Sequence, residues 1–217
     1  MAFKIFPKKI SQDYFQELQN NMEVEYEATF ENIDPEKMRE TLQNIGAKQI
    51  SPKFLQKQAV FNLPEGHGVK GGWLRVRKQS DKTTLSLKVV DGSNTISGQK
   101  ETEVIVDNFD KTVLLLENIG CEKKADQEKT RELWQLDGVD ITIDEWPFLE
   151  PFVEVESNSE EKVRDVSEKL GFDYSMALFD SVDAQYSKKY GITIDAVNQR
   201  TPKILFNMEN PFINRND

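Results

Sequence analysis

The chain has 217 residues, with a formal net charge of -10 and a sequence isoelectric point of about 4.8. This length is enough for one domain with a sizeable core. The acidic balance argues against binding to nucleic acids or to anionic membranes, because both require a basic surface. We therefore expect no nucleic-acid partner and no membrane partner. A local basic cluster in such a chain would indicate a small polyanion as the ligand.

The cysteine content and the hydropathy bear on the compartment. Cys121 is the single cysteine of the sequence, which excludes an internal disulfide and fits a reducing compartment. No stretch approaches the roughly 20 apolar residues of a membrane-spanning helix. Residues 1–15 lack the long apolar segment of a secretory signal. The expectation is a cytoplasmic protein.

Strand and helix signals alternate irregularly along the chain, without a linker that would divide it into two domains. In chain order, the predicted elements are strand 23–30, helix 34–46, strands 54–62, 72–78, 83–89 and 100–106, helix 110–120, strands 130–136, 139–145 and 152–156, helices 159–171 and 183–190, and strand 203–207. The strands are rich in β-branched and aromatic residues, and short turns join most of them. So many strands predict an antiparallel sheet large enough to curl or to close.

The helices are predicted from the residues at their ends. In the first helix, Asp34 is a suitable N-cap, Pro35 occupies the first helical position, and Gly46 can end the helix. The second and third helices repeat this pattern, and Gly191 is expected to end the fourth.

Several strands carry charges of one sign on alternate residues. These doublets are Glu25 and Glu27, Arg75 and Arg77, and Glu154 and Glu156. Because successive side chains of a strand point to opposite faces, each doublet lies on one face and the apolar residues lie on the other. A half-exposed sheet covered by helices would explain any single strand. Doublets of like charge are costly, however, unless an opposite charge lies between them.

Facing rows of acidic and basic side chains would suit a metal–polyphosphate site. Paired carboxylates offer hard oxygen ligands to Mg²⁺ or Mn²⁺. Arginines bind phosphates through two parallel hydrogen bonds, and lysines act as point charges. Two unit charges about 4 Å apart interact by ~4 kcal/mol at an intermediate dielectric, so unmatched rows would destabilise a dry interior. The pattern therefore predicts a wet space between the rows.

A series of short motifs follows the same order as in a known family. The motifs are EYEATF around Glu25 and Glu27, LRVR around Arg75 and Arg77, SLK ending at Lys88, KETE ending at Glu103, KTR ending at Arg131, IDEWP around Asp144, and FVEVE ending at Glu156. From about Met22 to at least Tyr190, this series resembles the CYTH family, the triphosphate tunnel metalloenzymes. The resemblance implies an α+β fold, in which helices surround a closed eight-stranded antiparallel β-barrel that forms a triphosphate tunnel.

The resemblance also implies a domain division and a role for individual residues. Residues 22–210 would form the CYTH domain, with an N-terminal extension at 1–21 and a tail at 211–217. The implied ligands of Mg²⁺ or Mn²⁺ are Glu25, Glu27, Glu103, Asp144, Glu154 and Glu156. The implied triphosphate-binding residues are Arg75, Arg77, Lys88, Arg131 and Lys203. The implied catalytic residues are Glu25, Glu27, Lys88 and Arg131.

One position departs from the family pattern. The family signature is Glu-x-Glu-x-Lys, and the register that ends at Phe30 places Thr29 at the lysine position. A register that pairs Glu23 with Glu25 places Glu27 there instead. The first register is preferred, because it aligns EATF with the usual phrase of the family. The missing cation implies weaker phosphate binding or a different choice of substrate.

Three functions are compatible with the resemblance. The first is metal-dependent hydrolysis of inorganic triphosphate or of a small organic triphosphate. The second is a class IV-type adenylate cyclase, which converts ATP to cAMP and pyrophosphate. The third is a non-catalytic module that binds polyphosphates or nucleotides, which the absent lysine favours. In each case the implied partner is a small triphosphate, and the implied assembly is a monomer or a homodimer.

Overall fold

In the computed structural model, which describes residues 17–213, nine strands form a single hydrogen-bonded sheet. The strands are β1 (Glu23–Phe30), β2 (Lys48–Asn62), β3 (Gly72–Lys78), β4 (Thr83–Val90), β5 (Gln99–Val106), β6 (Glu122–Leu136), β7 (Val139–Glu145), β8 (Phe152–Ser157) and β9 (Lys203–Ile204). The order is β2-β3-β4-β5-β1-β8-β7-β6, and β6 pairs again with β2. All neighbours in this ring are antiparallel, so the predicted closed eight-stranded barrel is confirmed.

The long strands β2 and β6 close the barrel, and the sequence prediction of both was too short. Each has 15 residues, whereas the prediction began them at residues 54 and 130. The register between them shifts on both sides of Ser51, as is typical of β-bulges. The segments that were missed are mostly polar, and backbone pairing with the neighbouring strand makes them extended. Strand β9 is shorter than predicted and pairs in parallel with β6, outside the ring.

Five α-helices lie wholly within the described range, and residues 17–20 are also helical. They are α1 (Pro35–Asn44), α2 (Phe109–Asn118), α3 (Glu160–Lys169), α4 (Val182–Tyr190) and α5 (Ile194–Arg200). As predicted, Asp34 caps α1, accepting a 3.0 Å hydrogen bond from the backbone N–H of Glu36, and Gly191 ends α4 in the left-handed conformation. The N-cap of α2 is Asn108, two residues before the predicted start. The prediction missed α5, which has only seven residues.

Most of the buried apolar residues of the barrel strands face outward and pack against the helices. Helices α1 and α3 cover one cluster that includes Ile141, Val153 and Val155. Helix α2 covers a second cluster on β2 and β3, and helices α4 and α5 form a third around Phe152. Fully burying an aliphatic or aromatic side chain of this size stabilises a fold by ~1.5–3 kcal/mol. The core therefore lies outside the barrel, and alternation leaves polar residues on the inner face.

The helices of the described residues were compared with the length and hydropathy that a membrane-spanning helix requires. Between residues 17 and 213, every helix is too short or too polar to reach across a bilayer. The predicted N-terminal extension (1–21) and tail (211–217) fall mostly outside the described residues, so the predicted domain boundaries stay predictions.

The close contact between the start of β3 and the end of β4 provides a test of the barrel geometry. Gly71 has a φ of +67°, and a Cβ atom there would overlap the carbonyl oxygen of Val90. We expect Gly71→Ala to lower the free energy of unfolding by roughly 2–4 kcal/mol, from left-handed strain plus overpacking. Gly66→Ala is the matched control, because Gly66 has a φ of +79° and nothing within 4 Å of its Cβ position. Urea unfolding that shows equal losses for the two variants would contradict this geometry.

Candidate active site

The barrel encloses a cavity of about 980 Å³ that residues from all eight ring strands line. This volume lies at the upper end of the roughly 300–1,000 Å³ that is usual for ligand pockets. Nine of the residues implied by the family resemblance line this cavity: Glu25, Glu27, Arg75, Arg77, Lys88, Glu103, Arg131, Glu154 and Glu156. Asp144 is fully buried in the wall directly behind them.

The first group of charges joins β1, β3, β4 and β5. Lys88 lies 2.7 Å from a carboxylate oxygen of Glu25 and 3.5 Å from one of Glu101. Arg75 forms a 3.0 Å ion pair with the other oxygen of Glu101. Lys88 and Glu101 are direct partners in the β4–β5 register, which explains why the two side chains meet. Two cations and two carboxylates therefore hold this side of the cavity together.

Burial and mutual charge shift the pKa values of this group. Burial raises the pKa of Glu25 to about 7, and Lys88 only partly opposes the shift. Burial would lower the pKa of Lys88, but the nearby carboxylates raise it above its ordinary value. Burial would also raise the pKa of Glu101, whereas its hydrogen bond with Glu25 and the charges of Lys88 and Arg75 hold that pKa below its ordinary value. Of the two carboxylates, Glu101 therefore keeps its negative charge more readily than Glu25.

The second group of charges joins β6, β7 and β8. Arg131 donates hydrogen bonds of 2.8 and 2.6 Å to the two carboxylate oxygens of Asp144, and it also contacts Glu154. Lys129 lies 2.6 Å from Asp144 and 4.0 Å from Glu154. Burial alone would raise the pKa of Asp144, but Arg131 and Lys129 hold it below its ordinary value. Both oxygens of Asp144 are thus engaged in orienting cations, and its implied role as a metal ligand stays a prediction.

Arg77, Glu27 and Glu156 are charged side chains of the cavity that form no ion pair within the described residues. Arg77 is only 9% exposed, yet it has no hydrogen-bond or ion-pair partner among residues 17–213. Glu27 and Glu156 are direct partners in the β1–β8 register, and neither has a cation in ion-pair contact within the same range. Burial, followed by the charges of Glu154 and Glu156, raises the pKa of Glu27 well above its ordinary value. Burial also raises the pKa of Glu156.

The unpaired carboxylates suit a divalent cation that phosphates share. Glu27 and Glu156 offer hard oxygen ligands from two adjacent strands, and a cation would relieve the unfavourable burial of their charges. No three His, Cys, Asp or Glu side chains of the described chain lie close enough to hold a metal by themselves. Mg²⁺ commonly binds through one or two carboxylates together with water and substrate phosphates. The residues present therefore fit Mg²⁺ or Mn²⁺ bound with a phosphorylated ligand.

The sequence reasoning assigned no role to two residues of the central ion-paired groups of the cavity. Glu101 and Lys129 take part in the ion pairs, although only Glu103 and Arg131 were assigned roles. The signal was present, since Glu101 precedes Glu103 on the same strand face, and Lys129-x-Arg131 repeats the alternation of a basic doublet. Glu103 lies nearer the solvent, 4.0 Å from Lys82.

The structure does not bring two positions of interest into the cavity. Lys203 is exposed and does not line the cavity, whereas the next residue, Ile204, is buried and does. Thr29 is buried, and its backbone exchanges hydrogen bonds of 2.9 and 3.0 Å with Leu178. Its partner across the β1–β8 register is Glu154, which already has Arg131 and Lys129 beside it. Cations from β6 thus neutralise the carboxylate beside the position where the family signature has lysine.

The fold and the cavity define a closed antiparallel barrel with ionised residues of both signs on its inner face. A family model for the CYTH domain matches residues 21–185, which is most of the chain. The chain therefore belongs to the CYTH domain family, as the sequence motifs predicted. A search among curated proteins found no match.

Solved structures share this fold at low sequence identity. A conserved hypothetical protein from Pyrococcus furiosus aligns with a TM-score of 0.62 and 23% identity, covering 72% of this chain and 96% of its own. A candidate adenylate cyclase from Vibrio parahaemolyticus aligns with a TM-score of 0.64 and 13% identity, covering 77% and 99%. A protein from Pyrococcus horikoshii OT3 aligns with a TM-score of 0.58 and 21% identity, covering 76% and 99%. Identities this low support the fold alone.

Arg131 is ion-paired and Arg77 is not, so replacing each of them should have a different effect on the stability of the fold. Arg131→Met should lower the free energy of unfolding by about 3–5 kcal/mol, because it removes a partner of two buried carboxylates. Arg77→Met should cause no loss, because Arg77 has no partner among the described residues and an unpaired buried charge is unfavourable. Chemical denaturation of both variants measures the difference. A loss for Arg77→Met as large as that for Arg131→Met would contradict the assignment of Arg77 as unpaired.

Proposed function

We propose that the chain is a divalent-metal-dependent hydrolase of a triphosphate compound. The observation that carries this proposal is the coexistence, in one cavity, of the unpaired guanidinium of Arg77 and the unpaired carboxylates of Glu27 and Glu156. The guanidinium suits an anion, and the carboxylates suit a cation. A triphosphate bound with a divalent cation would satisfy both at once.

The cations of the cavity would bind the phosphates. Arg77 is free to form two parallel hydrogen bonds to a phosphate group. Arg75, Lys88 and Arg131 already have carboxylate partners, which fix their positions before a ligand arrives. Lys129 joins this set through its contact with Asp144. Fixed cations stabilise the charge on the transferred phosphoryl group in the transition state without further reorganisation.

The carboxylates would bind the metal and orient water. Glu27 and Glu156 would hold Mg²⁺ or Mn²⁺, which when bound neutralises phosphate charge and orients the reacting groups. Glu25 lies two residues from Glu27 on the same strand face and would accept a hydrogen bond from the attacking water. Such positioning is the main catalytic contribution of a protein to phosphoryl transfer.

Glu156→Gln should abolish metal-dependent release of orthophosphate from inorganic triphosphate while the fold is retained, because a neutral amide is a poor ligand for a hard cation. Release is measured with Mg²⁺ or Mn²⁺, and EDTA should prevent it in the native protein. Glu145→Gln is the matched control, since Glu145 also lies on a barrel strand but pairs outside the cavity with Lys53 at 2.6 Å. Full activity of Glu156→Gln would show that the metal site is assigned wrongly.

Arg77→Met should weaken the binding of inorganic triphosphate by about 1.5–3 kcal/mol, the scale of a hydrogen bond to a charged group. Isothermal titration calorimetry measures this change. An unchanged dissociation constant would place Arg77 outside the phosphate site, even if the variant is as stable as expected.

Two alternative functions give different products. A class IV-type cyclase would convert ATP to cAMP and pyrophosphate, and the volume of the cavity leaves room for a nucleoside. A non-catalytic binding module would retain the triphosphate unchanged, and the threonine in place of the signature lysine at position 29 favours this alternative. Product analysis with ATP and with inorganic triphosphate separates the three functions, because the hydrolase alone releases orthophosphate.

A further inference from the structure

The pairing between β1 and β5 is short, and it leaves part of β5 with an open edge. Three residues of each strand pair there, from Glu101 opposite Glu23 to Gln99 opposite Glu25. The rest of β5, Thr102–Val106, pairs with β4 alone among residues 17–213. Alternate backbone N–H and C=O groups of a strand point to its two edges. This segment therefore presents unpaired backbone groups at the edge away from β4, which we call the open edge of β5.

The open edge of β5 also carries exposed apolar side chains. Val104 is 51% exposed and Ile105 is 74% exposed, although both belong to a barrel strand. Val104 is the register partner of Leu85, which packs in the cluster beneath α2, so Val104 lies on the outer face of the barrel. Ile105 lies on the inner face, which it shares with Glu103. Natural proteins usually cover such an edge, because it can pair with another strand.

The charge at the open edge favours a basic partner. Residues 101–110 contain four acidic side chains and no basic side chain. Glu103, in the open segment of β5, has Lys82 at the long distance of 4.0 Å. A second copy of this chain would bring the same acidic segment, together with a net charge of -10, against the edge. Like charges on facing strands are unfavourable, so a second copy suits this edge poorly.

The first residues of this same chain have the chemistry that the open edge requires. Residues 1–16 lie outside the described residues, and they contain three lysines and one aspartate. Residues 2–6 have the sequence AFKIF, whose aromatic and β-branched residues favour a strand. Pro7 follows and limits the length of that strand, because proline has no N–H to donate.

The chain enters the described range close to the open edge and has enough length to reach it. Lys100 of β5 donates a 3.2 Å hydrogen bond to the backbone carbonyl oxygen of Gln19. Residues 6–16 connect the first five residues to the described chain and can span up to roughly 36–40 Å. A strand along Thr102–Val106 is only ~17 Å long. The connection therefore permits the first residues to lie anywhere along this edge.

We propose that residues 2–5 of this chain pair antiparallel with the open edge of β5 and extend the wall of the barrel. The register places Lys4 opposite Glu103, so that opposite charges meet on the inner face. On the outer face, the same register places Phe3 beside Val104. The added strand continues the line of β1, which takes over as the partner of β5 at Glu101. Strand addition of this kind supplies the missing backbone hydrogen bonds from within one chain.

Amide hydrogen exchange in the full chain, measured by mass spectrometry, tests this inference. The amides of Thr102–Val106 that point to the open edge should be protected, at a level that does not depend on protein concentration. Lys4→Glu should speed their exchange by about fivefold or more, because two glutamates then face each other across the strands. Combining Lys4→Glu with Glu103→Lys should restore the protection, since the charge pair is reversed. Lys9→Glu is the matched control, because it makes the same change of charge outside residues 2–5 and should leave the exchange unchanged.

Three outcomes would overturn the inference. Fast exchange of the open-edge amides in the native chain would show that no strand covers them. Protection that rises with protein concentration, together with a dimer in light scattering, would assign the edge to a second copy. Equal effects of Lys4→Glu and Lys9→Glu, or no recovery in the double variant with Glu103→Lys, would show that residues 2–5 do not lie in this register. None of these measurements depends on turnover, so they test the added strand separately from the proposed hydrolase.

Discussion

The whole structure depends on how a closed barrel accommodates ionised side chains on its inner face. The desolvation of an isolated ion in a dry interior costs several kcal/mol even after relaxation, on the order of the net stability of a small domain. The barrel meets this constraint by placing its apolar residues outside, beneath the helices, and by arranging the ions around a large cavity. Within the cavity, Lys88 and Arg131 each contact two carboxylates.

Some charged side chains of the cavity have no ion-pair partner, and the proposed function is based on these unpaired residues. Burial disfavours the charges of Arg77, Glu27 and Glu156, and no opposite charge in ion-pair contact offsets this cost. These three residues therefore favour ligand binding at the expense of stability. A ligand that brings both negative charge and a divalent cation relieves this cost. The fixed ion pairs beside them provide positioned cations that need no rearrangement.

The sequence predicted the barrel and most of the cavity, because alternation within a strand determines which residues share a face. The alternation does not determine how far inside the cavity each of these residues lies. Glu101 and Glu103 share a face, but Glu101 pairs with Lys88 across β4 and β5 inside the cavity, whereas Glu103 pairs with Lys82 nearer the solvent. That register depends on contacts between distant segments. The exposed position of Lys203 was equally unpredictable, since β9 is a two-residue strand whose orientation follows from its parallel pairing with β6.

A crystal structure with Mn²⁺ and inorganic triphosphate bound would test the central claim most directly, because the anomalous scattering of manganese locates the metal independently of the protein. The account predicts a manganese peak in contact with the carboxylates of Glu27 and Glu156, and a phosphate group bound to the guanidinium of Arg77. Manganese located away from both carboxylates, or a triphosphate bound without contact to Arg77, would contradict it.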